Sequence, residues 1–167
     1  MSRGCLSLAK AQAQTVQEQP KIIFVDASGM IAGRMCSHAA KLALGGNRVI
    51  IVNAQNALFS GSRTNIMAEW KDRLKIGSVV HPKHGPFHPR TPDGILTRMV
   101  RGMVPRKKPS GLAAIRRLRV YVGVPQEFGK VKYTDFEDSK ATKPIAFYVP
   151  LSEISGKIGW KGGESSK

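Results

Sequence analysis

Acidic residues are the first shortage in this 167-residue chain: 11 Asp+Glu stand against 27 Lys+Arg, a formal net charge of +16. Carboxylates so few and so scattered do not assemble a site for catalytic divalent metals, which argues against a nucleic-acid-processing enzyme. The imbalance says nothing about the fold, but it attracts polyanions, and nucleic acid is the usual one. Cysteine is nearly missing as well. Cys5 falls in the polar N-terminal stretch and Cys36 among apolar residues of an expected helix, so a structural disulfide is not expected and a reducing cytoplasm is the natural setting. No apolar run nears the roughly 20 residues that cross a bilayer. Nor is there a basic amphipathic helix with an aromatic apolar face to lie on a membrane. Residues 1–20 are too poor in apolar sequence for a signal peptide and read as a flexible tail. Nucleotide signatures are wanting too. "GMIAGR" at 29–34 is an incomplete dinucleotide fingerprint with no acid closing the next strand, and "GGNR" lacks the Lys-Ser/Thr ending of a P-loop.

What is present reads as one α/β domain over residues 21–160, with a short tail at 161–167. "KIIFVDA" is a buried-strand run, and "IAGRMCSHAAKLALGG" carries Ile31, Met35, Ala39 and Leu42 on one helical stripe that ends at Gly45-Gly46. "RVIIVNA" is a second strand, so the first thirty or so residues of the domain form a βαβ unit with parallel strands. A short strand at 57–59 and a helix with Ile66, Trp70 and Leu74 on its inner face follow. Trp70 and Trp160 read as core residues rather than stacking platforms. "ILTRMVRGMV" predicts a helix with Ile95, Met99 and Met103 inward and Arg98 and Arg101 off that face, stopped by Pro105. "LAAIRRL" gives a short helix, "RVYVGVP" a strand, residues 126–144 a surface loop, and "IAFYVPLSEISGKIGW" a short strand with one or two helical turns.

The charge is not evenly spread. Between Arg63 and Arg119 there are 14 Lys/Arg and three acids, Glu69, Asp72 and Asp93. A solvated helix face normally mixes signs at i and i+4. Here Arg98, Arg101, Arg106, Lys107, Lys108, Arg116, Arg117 and Arg119 have no acid among them, so they face water or an external anion. Within this region "HPKHGPFHPR" at 81–90 holds His81, His84 and His88. Their spacing would suit a metal only on a helix, which Pro82, Pro86 and Pro89 forbid, and neighbouring Lys83 and Arg90 repel a dication. No carboxylate and nucleophile accompany them for acid–base work. Residues 78–94 read instead as a stiff basic arm. The prolines limit the entropy lost on docking, Lys83, His84, His88 and Arg90 donate to phosphates, and Phe87 stacks or wedges. "SGSRTN" at a helix start, with Ser60, Gly61 and Ser62 as candidate caps, is either a phosphate seat with Arg63 or an ordinary N-cap.

"VDASGMIAGR", "VIIVNAQNALFSGSR", "HGPFHPRTPDGILTRMVRGMVPRKKPSGLAAIRRLRVYVGVP" and the closing "IGW" together resemble, in order and spacing from about Ile22 to Trp160, the large-subunit ribosomal protein family numbered L-thirteen, in its archaeal type. "RGMVPRKKPSG" is the most specific segment. The resemblance implies a three-layer α/β/α domain on a four-stranded, mainly parallel sheet. It also implies a structural, non-catalytic protein of the large ribosomal subunit in the cytoplasm, binding large-subunit rRNA beside neighbouring ribosomal proteins and supporting assembly. No cofactor, metal, membrane or small-molecule substrate is implied. Carried over position by position, the rRNA-facing residues are Arg34, Ser62, Arg63, Lys83, His84, Phe87, Arg90, Arg98, Arg101, Arg106, Lys107, Lys108, Arg116 and Arg117. Ala32 departs from the family pattern, where leucine is common. A free-standing nucleic-acid-binding regulator is the alternative, but the linker between the helices of 95–118 is long and holds two prolines, unlike a helix-turn-helix.

Overall fold

A computed structural model describes residues 21–129 and 131–162. Cys5 and the N-terminal stretch 1–20 therefore lie outside the described residues, as does most of 161–167. Strand β1 (Ile22–Asp26), helix α1 (Ala32–Leu44) and strand β2 (Arg48–Val52) form the expected βαβ unit, with β1 and β2 parallel and Phe24 opposite Ile50. Strand β3 (Leu58–Ser60) and helix α2 (Arg63–Lys75) come next, followed by α3 (Pro92–Met103), α4 (Pro109–Arg117) and strand β4 (Leu118–Val120). Strand β5 (Tyr148–Pro150) and helix α5 (Leu151–Lys157) close the fold.

β4 adds to the far side of β2, again in parallel, giving the order β1-β2-β4. Continuous apolar runs read as parallel strands, which is why "IIFV" and "VIIV" were legible, although only β2 is buried on both faces and β1 buries Val25 alone. One face of this sheet carries Val25, Val49 and Ile51, all fully buried in the same core as Met35, Cys36, Ala39 and Ala43 of α1. The alanines let α1 sit close, and α3 and α4 pack beside it. Among the described residues the parallel ladder has three strands, not the four expected. β3 pairs antiparallel with β5 instead, Phe59 opposite Val149.

Three further expectations shift. Helix α3 begins at Pro92, so the arm expected over 78–94 gives up its last residues to the first helical turn, where proline is at home. Its buried face is Pro92, Ile95, Leu96 and Val100, while Met103 lies on that side by angle but stands 44% exposed in the last turn. The arm itself holds a single 3-10 turn, Pro82–His84, closed by His84 N–H donating to the His81 carbonyl at 3.0 Å. Lastly, the segment 126–144 is more than a surface loop. Thr134 N–H donates to the Phe24 carbonyl at 2.7 Å, Ile31 N–H donates to the Ser139 carbonyl at 2.7 Å, and Ser139 is fully buried. The segment therefore covers the otherwise open edge of β1.

Candidate nucleic-acid interface

The turn from α3 into α4 follows from its proline and glycine pattern. Pro105 cannot continue α3, Pro109 fits the first turn of α4, and Lys108 N–H donates back to the Pro105 carbonyl at 3.0 Å. A Cβ on Gly111 would stand 2.2 Å from the Pro105 carbonyl oxygen, so only glycine lets the chain fold back this tightly. The result is a compact turn that presents Arg106, Lys107 and Lys108 as exposed cations.

On α3, Arg98 and Arg101 are three residues apart and so share a face. Together with Gly102, Arg106, Pro86 and Phe87 they line a groove of about 490 Å³ between the helix and the arm. Phe87 is 69% exposed, its side chain open at the groove. Among the described residues, no Lys or Arg from 83 to 119 forms an ion pair. The four pairs present are Arg63–Glu153, Arg73–Glu69, Lys75–Asp72 and Lys140–Asp135. Lys83 and His84 sit exposed on the 3-10 turn, with the His81 and His84 rings edge to face at 6.2 Å. Arg90 lies apart from the groove, its Nη1 against Gly159 beyond α5. Among the described residues no three His, Cys, Asp or Glu side chains converge as metal ligands.

Several expected contacts are drawn inward instead. His88 turns into the wall of a hollow of about 230 Å³ with Trp70, Pro89, Ile95 and Arg98, and its Nε2 is buried. It is thus a structural residue of the arm's root rather than an outward donor. Trp70 meets Phe59 edge to face at 6.2 Å, with the Arg73 guanidinium 5.0 Å from the Trp70 ring centroid. Arg63 pairs with Glu153 of α5, and Ser62, the residue capping α2, shares its hydroxyl with Thr64 at 2.9 Å. The cation of the expected phosphate seat is therefore engaged internally, while the Ser62 hydroxyl makes no capping bond to the first amides of α2. Arg34 falls in the first turn of α1, and its Nη1 donates to the Asp138 carbonyl at 3.1 Å.

Arg116 and Arg117, at the end of α4, belong to a second patch. They border a hollow of about 330 Å³ on the face of the sheet opposite α1, together with Arg48 and Arg119. Arg119 was read from the sequence only as one of the cations without an acid among them, and Arg48 and the aromatic floor of that hollow were not singled out. The signal was available as strand parity, since Phe24, Ile50 and Arg119 fall on one row of the register.

Two comparisons bear on what this surface serves. A family model described as ribosomal protein L13 matches residues 20–127. The large ribosomal subunit protein uL13 of Aeropyrum pernix is 40% identical over 142 residues, covering 84% of this chain and 92% of that protein. Its counterpart in Methanococcoides burtonii is 39% identical over 138 residues, 82% and 97% of the two chains. That of Saccharolobus solfataricus is 34% identical over 149 residues, 89% and 99%.

Proposed function

Because the chain belongs to the ribosomal protein L13 family, and is a structural, non-enzymatic constituent of the large ribosomal subunit in the cytoplasm, we propose that it grips large-subunit rRNA with the flank built by the arm, α3 and the turn into α4. The observation that carries this reading is the groove in which Phe87 lies beside Arg98, Arg101 and Arg106 with no acidic side chain in its lining. Guanidinium groups pair with phosphate oxygens in two-pronged fashion, and an exposed ring supplies a π-face for an unstacked base. Lys83 and His84 extend the cationic track along the arm, and Lys107 and Lys108 extend it around the turn. Arg116 and Arg117, in the last turn of α4, supply cations of the second patch. Arg34, Ser62, Arg63 and Arg90 stand outside that track, and Arg34 and Arg63 approach phosphate only as second donors beside their internal partners.

The fourth strand of the family's three-layer core is assigned to β3, on the support of the single parallel bridge from Leu58 to Ile31. Neighbouring ribosomal proteins complete the surroundings, and the exposed Val79 and Val80 at the start of the arm and Ile145 and Phe147 before β5 suit such contacts.

Replacing Arg106, Lys107 and Lys108 together by glutamine tests the rRNA reading. All three side chains are exposed, so the melting temperature stays close to that of the wild type while affinity for large-subunit rRNA falls. The slope of log affinity against log salt shrinks by roughly 0.7–0.9 per phosphate contact removed. Unchanged affinity and slope in a folded variant would refute the assignment.

A further inference from the structure

Among the described residues, α1 covers the sheet face that carries Val25, Val49 and Ile51. On the other face, β1, β2 and β4 bring Phe24, Ile50 and Arg119 into one lateral row, with Ile22 and Arg48 in the row beside it. Phe128, from the 3-10 turn Gln126–Phe128, leans over this row. Its ring centroid is 5.2 Å from that of Phe24 at 54° and 5.8 Å from that of Tyr121 at 56°. Three tilted rings and an isoleucine thus floor the 330 Å³ hollow, and Arg48, Arg116, Arg117 and Arg119 rim it.

The rim is wholly cationic. Arg119 is held in place, its Nη1 donating to the Arg116 carbonyl at 3.3 Å and the Leu118 carbonyl at 3.0 Å, which leaves its other guanidinium donors free to turn outward. None of the four arginines forms an ion pair among the described residues. Arg48, Arg116 and Arg117 also border a shallow surface along α4 with Pro109 and Leu112, so the hollow opens directly onto the basic turn preceding that helix. An apolar, aromatic floor inside a ring of four unpaired guanidinium groups calls for a ligand that is flat and π-rich at its centre and anionic at its edge. The volume lies at the small end of about 300–1,000 Å³ for small-ligand sites, room for one nucleotide and not for a duplex or a folded protein domain.

We propose that this hollow is a second RNA site that takes one unpaired nucleotide, the base against Phe24, Tyr121 and Phe128 and its flanking phosphates on the arginine rim. The inference rests on the rRNA-binding reading above and adds to it the kind of RNA feature recognised: a looped-out or single-stranded residue rather than helix backbone. Ring faces on a sheet hold splayed bases in just this manner in other RNA-binding modules.

The test uses the full-length protein and two probes of equal phosphate count, a single-stranded oligoribonucleotide carrying one 2-aminopurine and a fully paired duplex. The wild type quenches the 2-aminopurine as it binds. Tyr121→Leu combined with Phe128→Leu lowers affinity for the single strand roughly tenfold, abolishes the quenching, and leaves duplex affinity within about twofold. Should that variant fold poorly, Arg48→Gln, on an exposed strand start, serves in its place. It lowers the salt slope for the single strand by about 0.7 and leaves the duplex slope unchanged. Equal loss on both probes, or no loss on either, overturns the nucleotide site. So does displacement of nothing but an acidic peptide, which would make the rim a protein-docking surface. Failure of the wild type to bind even the duplex is a different result, and strikes at the parent reading of the basic flank.

Discussion

At the scale of single residues, the protein divides its polar and apolar groups by what each can satisfy internally. Cys36 lies fully buried under α1, and burial pushes its thiol up to about 12 from an ordinary 9.0. It is accordingly inert in the native state. Alkylation followed by mass spectrometry leaves Cys36 unmodified at pH 8 until denaturant is added. The raised value also sets a sign: the folded form loses stability as pH climbs from about 9, where the unfolded thiol ionises, toward 12. Gly111 is constrained more sharply than any glycine whose need is backbone angle alone. In Gly111→Ala the new methyl meets the Pro105 carbonyl, and overpacking of this kind costs about 1–3 kcal/mol. A lowered melting midpoint checks it. Phe87→Ala is the contrasting case. The ring is 69% exposed, so stability is unchanged, while titration with large-subunit rRNA shows weaker binding.

At the scale of elements, what could be read in advance was whatever side chains announce. α1 was legible because its alanines, Met35 and Cys36 recur at helical spacing, and β1 and β2 because both their faces are apolar. The turn at 105–111 was legible because proline and glycine dictate geometry directly. The segment 126–144 was not, since its contacts are backbone bonds and isolated aromatic side chains, Phe128 and Phe136, that show no periodicity. Hydrogen exchange tests those bonds, with the amides of Thr134 and Ile31, bonded to Phe24 and Ser139, protected well above the neighbouring polar residues. The pairing of β3 with β5 was hidden for a related reason. Three-residue strands are too short to show periodicity, and their partner lies some ninety residues away. Of the candidate contact residues, Lys83, Arg98, Arg101, Arg106, Lys107, Lys108 and Arg116 are exposed and form no ion pair among the described residues, while Arg117 is half-buried. The internal neighbours of Arg63 and His88 were not legible because Glu153 and Trp70 come from elements distant in the chain or across a fold-dependent gap.

At the scale of the whole molecule, the controlling quantity is the +16 charge and its placement on one run of the chain. A folded domain with that many unpaired cations repels itself and is relieved when a polyanion neutralises them. Binding to large-subunit rRNA therefore stabilises the protein as well as the RNA, and the melting temperature rises on addition of the cognate RNA. The central claim, that this chain is a built-in part of the large subunit held by its basic flank, is tested most directly by sedimentation. The tagged full-length protein is expressed in its native cells, and the lysate is washed at high salt and run through a sucrose gradient. The structure and its relatives predict that it migrates with the large subunit after the wash. Recovery as a free small protein at the top of the gradient, with any RNA stripped away, would contradict that claim.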